Sequence, residues 1–252
     1  MNLLAIDMGN TRVKAGVFRG AELATVFEVH GAAELGRTLP ELVAAHRIDH
    51  VAYINVNAAQ NNPLLDALAA LPLAVREITG LSPGPLRNGY GTPHTLGADR
   101  WAAVHGALRY VAGGPLLVLD VGTAVTYDYV DETDTFLGGG IAPGLSMRYQ
   151  ALHAFSARLP QLEPGPAIQW LGGTTEEAIR AGVQFGLAAE LQAHINWAHQ
   201  QRPDQPPPAV FLTGGNAPYF EPLLQEAVHR TCPNLVLEGI CQLVSSPAAF
   251  AD

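Results

Sequence analysis

Lysine is almost missing from this chain. Lys14 is the single lysine among 14 basic residues, so any chemistry that needs an ammonium group has one place to find it. Cysteine is scarce as well. Cys232 and Cys241 are too few for a disulfide framework, and the absence of any C-x-x-C spacing removes the usual structural zinc site. Positive charge is in deficit: 14 basic residues stand against 23 acidic ones, a net charge of -9. No basic stripe is visible, which argues against a nucleic-acid partner. No apolar stretch reaches the length of a membrane span, and the short apolar run near the start meets Asp7 at once. The expectation is a soluble, cytoplasmic protein. Two phosphate-binding signatures are also absent, the P-loop G-x-x-x-x-G-K-[ST] and a G-x-G-x-x-G after a strand. The nine histidines are scattered, without H-E-x-x-H, and read as surface or core residues.

What is present is a chain of 252 residues, 48% hydrophobic and 15% charged, which excludes disorder and coiled coil. It carries an internal repeat. Residues 3–9 read LLAIDMG and residues 116–122 read LLVLDVG. Each apolar run ends in Asp-x-Gly and is followed by a strand-like run, RVKAGVF (12–18) or AVTYDYV (124–130), so each copy reads as a β-hairpin. The separation of 113 residues implies two related domains, 1–113 and 114–252, with Gly113-Gly114-Pro115 as turn chemistry between them. Between and after the hairpins, strand-like segments (50–57, 73–78, 206–215) alternate with helix-like ones (62–71, 98–112, 144–159, 174–200). That alternation predicts an α/β fold with a mixed sheet in each half. Residues 81–97, rich in glycine and proline and without periodicity, form a loop long enough to suggest a function. Residues 201–208 read as a plain surface connection.

Four motifs carry chemistry. In Asp7-Met8-Gly9-Asn10-Thr11, the turn amides and the Asn10 and Thr11 side chains can donate to phosphate oxygens, and Asp7 at the strand end can hold Mg²⁺ directly or through water. A lone copy would read as an ordinary turn. The second copy, Asp120-Val121-Gly122-Thr123, turns the balance toward nucleotide binding. Gly97-Ala98-Asp99-Arg100 opens a helix. Asp99 there reads either as a plain N-cap or as a general base, with Arg100 as a bidentate anion clamp. The run 137–144, LGGGIAPG, reads as a glycine-rich turn into a helix, and Thr213-Gly214-Gly215-Asn216 repeats that design after a strand.

These motifs, in this order, resemble the type III pantothenate kinases of the actin-like kinase superfamily. DMGNT (7–11) is similar to the family's first phosphate motif, and Tyr90 with Pro93 and LGADR (96–100) to its pantothenate motif. DVGTAVT (120–126), GGGIAPGL (138–145) with ARLP (157–160), GGTTEEAIRAG (172–182), FLTGG (211–215) and LVLEG (235–239) complete the match. The resemblance implies two duplicated actin-like (ribonuclease H-like) domains, with ATP in the cleft between them. It implies ATP-dependent phosphorylation of pantothenate to 4'-phosphopantothenate, the first step of coenzyme A biosynthesis. Carried over by position, Asp99 is the catalytic base. Tyr90, Gly97, Ala98, Arg100 and Thr175 join it in the pantothenate site. Asp7, Met8, Gly9, Asn10, Thr11, Arg12, Val13, Lys14 and Thr123 bind ATP, Asp7 through Mg²⁺ as well, and Asp120 holds a monovalent cation, K⁺ or NH₄⁺. The resemblance also implies a homodimer. The segment 54–62 departs from the family's pattern and receives no site.

Overall fold

The computed structural model describes residues 1–9, 12–29, 31–56, 62–165, 170–200, 206–224 and 227–245. Its chain divides into two compact units. The first comprises Met1–Gly113, Asp134–Leu137 and Asn234–Asp252; the second comprises Gly114–Thr133 and Gly138–Pro233. The motif repeat alone divides the chain once, at 113/114; packing draws two later segments into the first unit.

In the first unit, β1 (Asn2–Met8) and β2 (Val13–Arg19) form the expected hairpin, followed by β3 (Glu22–Val29) and helix α1 (Ala32–His46). Then come β4 (His50–Asn55), α2 (Pro63–Ala69) and β5 (Ala74–Glu77). The sheet order is β3-β2-β1-β4-β5, with β2 antiparallel to both neighbours and β4 parallel to both of its own. Leu4, Ile6 and Met8 of β1 are buried with Leu35 and Leu39 of α1 and Leu64 and Leu68 of α2. Alternate β1 residues thus bury one face of the sheet under two helices. On α2, Asn62 caps the helix by accepting from the Leu64 N–H at 3.1 Å, and Pro63 follows at the first helical position, where a missing N–H costs nothing.

The loop 81–97 contains a two-residue strand, β6 (Arg87–Asn88), and a short 3₁₀ turn (Pro93–Thr95). Helix α3 (Ala98–Ala107) follows and ends five residues before the predicted 112. Its partner is α8 (Leu235–Val244), a helix with nearly every residue buried, in which the Glu238 carboxylate accepts from the Tyr110 hydroxyl at 2.8 Å.

The second unit repeats the layout. Strands β7 (Leu116–Val121) and β8 (Ala124–Val130) are the second hairpin, and β9 (Thr135–Pro143) follows. Helix α4 (Leu145–Ala154) comes next, then α5 (Thr175–Arg180), a π-helical turn (Ala181–Phe185) and α6 (Gly186–Gln200) in one continuous rod. The unit closes with β10 (Ala209–Thr213), α7 (Ala217–Leu224) and β11 (Arg230–Thr231). Five strands of its six-stranded sheet, β9-β8-β7-β10-β11, follow the first unit's order again, with β10 parallel to β7 and β11, and β6 pairs with the first residues of β9. This bears out the α/β class with a mixed sheet in each half. Leu117, Leu119 and Val121 of β7 pack with Leu187, Leu191 and Ile195 of α6 and with Phe220 of α7.

One local expectation is corrected. Gly138, Gly139 and Gly140 lie inside strand β9, not in a turn. A Cβ at position 139 would overlap the Tyr127 carbonyl, so glycine here serves close approach to the neighbouring backbone. The long predicted helix 174–200 is present, with the π-helical turn inside it.

Candidate active site

Asp7 occupies the last turn-ward positions of β1, and the antiparallel register sets it directly opposite Lys14 on β2. Its carboxyl is held well above the usual carboxylate range, at about 7. Burial is the main cause, the negative charge of Asp99 adds to it, and Lys14 opposes both. Asp7 and Asp99, 92 positions apart in sequence, therefore lie near enough within one unit for their charges to interact. Two carboxylates in mutual repulsion are a natural seat for a divalent cation, which relieves both. Among the described residues no cluster of three or more His, Cys, Asp or Glu is present. A metal at Asp7 would complete its shell with water and phosphate oxygens, the habit of Mg²⁺.

The Gly9 N–H donates to the Arg12 carbonyl at 3.0 Å and closes the hairpin, while Met8 and Val13 are buried beneath it. Met8 also touches Asn62, whose amide donates to its Sδ at 3.6 Å. Arg12 is exposed and pairs with Glu28 on β3. Asn10 and Thr11 lie outside the described residues.

Helix α3 supplies the second half of the site. Gly97 is its N-cap, so Asp99 sits inside the first turn and not at the cap, correcting one of its two sequence readings. Its Oδ1 accepts the Arg100 backbone N–H at 2.9 Å, which anchors the carboxylate at the helix start. Ala98 and Arg100 are buried. The Arg100 guanidinium lies over the Tyr90 ring, 5.5 Å from its centroid, and over the Phe136 ring at 5.9 Å. Tyr90 reaches this position because Asn88 accepts its backbone N–H at 3.0 Å and because β6 pairs in parallel with the first residues of β9. Below, Trp101 Nε1 donates to the Ser82 carbonyl at 2.9 Å and ties the long loop to the helix. Burial lowers His105 to about 4, so it is neutral, and its Nδ1 lies 2.8 Å from the Trp101 carbonyl. The structure thus brings Asp7, Lys14 and Asp99 together, and Tyr90 with Arg100. Sequence reasoning missed Phe136 and Trp101, since apolar residues in a strand and a core helix carry no polar signature.

The remaining candidates belong to the second unit. Asp120 is the penultimate residue of β7, opposite Thr126 on β8. The Thr123 carbonyl accepts from the Gly144 N–H at 3.1 Å, and the Val121 carbonyl from the Asn216 N–H at 2.9 Å. Thr175 is the first residue of α5, exposed, just after Thr174 and Glu177 close a capping box.

Comparison with known proteins agrees with the fold. The fold resembles that of an inorganic polyphosphate/ATP-glucomannokinase from Arthrobacter, with a TM-score of 0.52 at 17% identity over 97% of this chain and 98% of that one. It also resembles (R)-2-hydroxyglutaryl-CoA dehydratase component A from Acidaminococcus fermentans, with a TM-score of 0.51 at 15% identity over 96% of each. These likenesses place the two mixed sheets and their flanking helices among actin-like folds. In sequence, the chain is 38% identical to a type III pantothenate kinase of Porphyromonas gingivalis over 96% of its own length and 97% of the relative's. The family model described as type III pantothenate kinase matches residues 3–196, a span that holds both hairpins, Tyr90, Asp99, Arg100 and Thr175. The chain belongs to the type III pantothenate kinase family.

Proposed function

We propose that this protein phosphorylates pantothenate at its terminal hydroxyl, with ATP as donor, to give 4'-phosphopantothenate and ADP, the entry step of coenzyme A biosynthesis. The convergence of Asp7 and Asp99 beside Lys14, in a chain of this family, carries the reading. Phosphoryl transfer asks a protein mainly for positioning and charge stabilisation. Asp99 accepts the hydroxyl proton as the new O–P bond forms and the bond to the ADP oxygen breaks. Asp7 holds Mg²⁺, directly or through water. When bound, Mg²⁺ neutralises charge on the phosphate oxygens. The turn residues Gly9 to Lys14, with Thr123 from the second hairpin, contact the phosphates. Tyr90, Gly97, Ala98, Arg100 and Thr175 bind pantothenate, with the Arg100 fork on the substrate carboxylate.

With one lysine in the chain, a second cation is physically sensible. Asp120 is its proposed ligand, for K⁺ or NH₄⁺. The protein acts as a homodimer in the cytoplasm. The shared strand order supports descent from a duplication, with halves 1–113 and 114–252. The test is a coupled ADP-release assay with Mg²⁺ and ATP, in K⁺ and then Na⁺ buffer, with pantothenate and a panel of other alcohols. Pantothenate-dependent turnover that needs K⁺ is expected. No turnover in either buffer, from folded protein that still binds ATP, would overturn the reading.

A further inference from the structure

Phe136 lies outside every sequence motif quoted above, yet the structure places it at the centre of the Arg100 environment. It is one of the first residues of β9 and is fully buried. β6 pairs with it in parallel, Asn88 against Phe136, and the Gly89 N–H donates to its carbonyl at 3.0 Å. That pairing delivers Tyr90 to the ring, with centroids 6.0 Å apart and planes tilted by 44°. On another side, Trp101 meets it edge to face, 5.7 Å away at 79°. The Arg100 guanidinium then stands over two ring faces at once, Tyr90 and Phe136, each within cation–π range.

We propose that Phe136 is a positioning residue that sets the specificity of the substrate-anion site. The negative faces of Phe136 and Tyr90 orient the buried guanidinium, and a substrate carboxylate meets it in that orientation. A planar guanidinium suits this role, because it stacks through its faces and forms bidentate hydrogen bonds through its edges. Fixing the long side chain in advance removes an ordering cost from substrate binding. Phe136 therefore acts on the affinity for the anionic substrate, and not on ATP or on the chemical step. The inference rests on the reading that Arg100 meets the substrate carboxylate.

The test keeps the ring's shape and changes its charge distribution. Phe136 is replaced by 4-fluoro-, 3,5-difluoro- and 3,4,5-trifluorophenylalanine, and separately by Phe136→Leu. The expected result is a stepwise rise of the pantothenate KM with fluorination, about 3- to 30-fold across the series. The kcat, the ATP KM and the melting temperature stay unchanged along the fluorinated series. A flat pantothenate KM along that series, with loss only in Phe136→Leu, would reduce Phe136 to packing and overturn the proposal. If the wild-type protein does not turn over pantothenate at all, the functional reading fails by itself. The positioning claim is then judged on the Arg100 Nε–H resonance, assigned with Arg100→Lys. Fluorination relaxes the fixed side chain and moves this signal stepwise if the ring faces hold it; an unmoved signal overturns the claim.

Discussion

The two Asp-x-Gly hairpins begin from nearly the same seven residues and end in different surroundings. In the first, the turn spans Gly9 to Arg12, and the carboxylate of Asp7 stands among charges: Lys14 across the ladder and Asp99 from α3. In the second, the turn is one residue shorter, closed by the Gly122 N–H to the Ala124 carbonyl at 3.0 Å. It is braced by backbone from two other loops, Gly144 against Thr123 and Asn216 against Val121. Gly214 supplies a further close approach: its φ is +93°, and a Cβ there would overlap Asp120 Oδ1. A shared local sequence thus sets a shared local geometry. The chemistry each copy performs depends on what the rest of its unit brings beside it.

Replacing the charges should break the first hairpin's role most severely. Asp99→Asn and Asp7→Asn are each expected to lower kcat about a hundred- to ten-thousand-fold, the range for loss of a positioned acid or base. Asp120→Asn is expected to cost less and to weaken the dependence on K⁺. Initial rates with saturating ATP, measured in K⁺ and in Na⁺, separate the two patterns.

Replacing glycines should reverse the ranking, because the second hairpin is the tightly packed one. Gly214→Ala is expected to destabilise the protein by about 2–3 kcal/mol, from a strained φ and the clash with Asp120. Gly9→Ala faces only the Arg12 carbonyl at 3.1 Å and should cost about 1 kcal/mol or less. Urea unfolding of both variants, without ligands, gives the comparison directly.

These contrasts show how far residues alone could be read. Both hairpins, most strands and the helix carrying Asp99 follow from apolar runs, turn chemistry and period. The strand β9 did not, because Gly138, Gly139 and Gly140 imitate a turn until the Tyr127 backbone is known to lie against them. Helix α8 did not, because a short apolar run such as LVLEGICQLV does not by its pattern alone distinguish a buried helix from a buried strand. At the candidate site, the polar residues stand in the motifs that point to them. The influence of the Asp99 charge on Asp7 depends on tertiary packing, and so does the placement of Arg100 over the Phe136 ring.

Titration sharpens the comparison within the first unit. Asp7 has its carboxyl raised from 3.8 to about 7, so between these values the folded protein holds more protons than the unfolded chain. Stability contributed through Asp7 therefore falls as pH rises from about 4 to about 7, by at most about 1.4 kcal/mol per pH unit. His105 is lowered from 6.5 to about 4, and its contribution runs the other way, falling as pH drops below 6.5. The two slopes oppose one another in the metal-free protein. Asp7→Asn should unmask a stability that climbs with pH across this window, and His105→Gln one that declines, as read from urea midpoints at pH 4.5, 5.5 and 6.5.

The smallest effect is expected at the rim of the first hairpin. Arg12 and Glu28 form an exposed ion pair, and Glu28→Gln should change stability by about 0.5 kcal/mol or less, with the difference shrinking further in high salt.

The most direct measurement is the product itself. Wild-type protein and Asp99→Asn are incubated with ATP, Mg²⁺, K⁺ and pantothenate, and the products are separated and identified by mass and by ³¹P coupling to the terminal methylene. The wild type is expected to form 4'-phosphopantothenate in step with ADP, and the folded variant to do so at a rate at least about a hundredfold lower. Equal product from both proteins would remove Asp99 as the base. ADP without phosphorylated pantothenate from the wild type would contradict the proposed reaction.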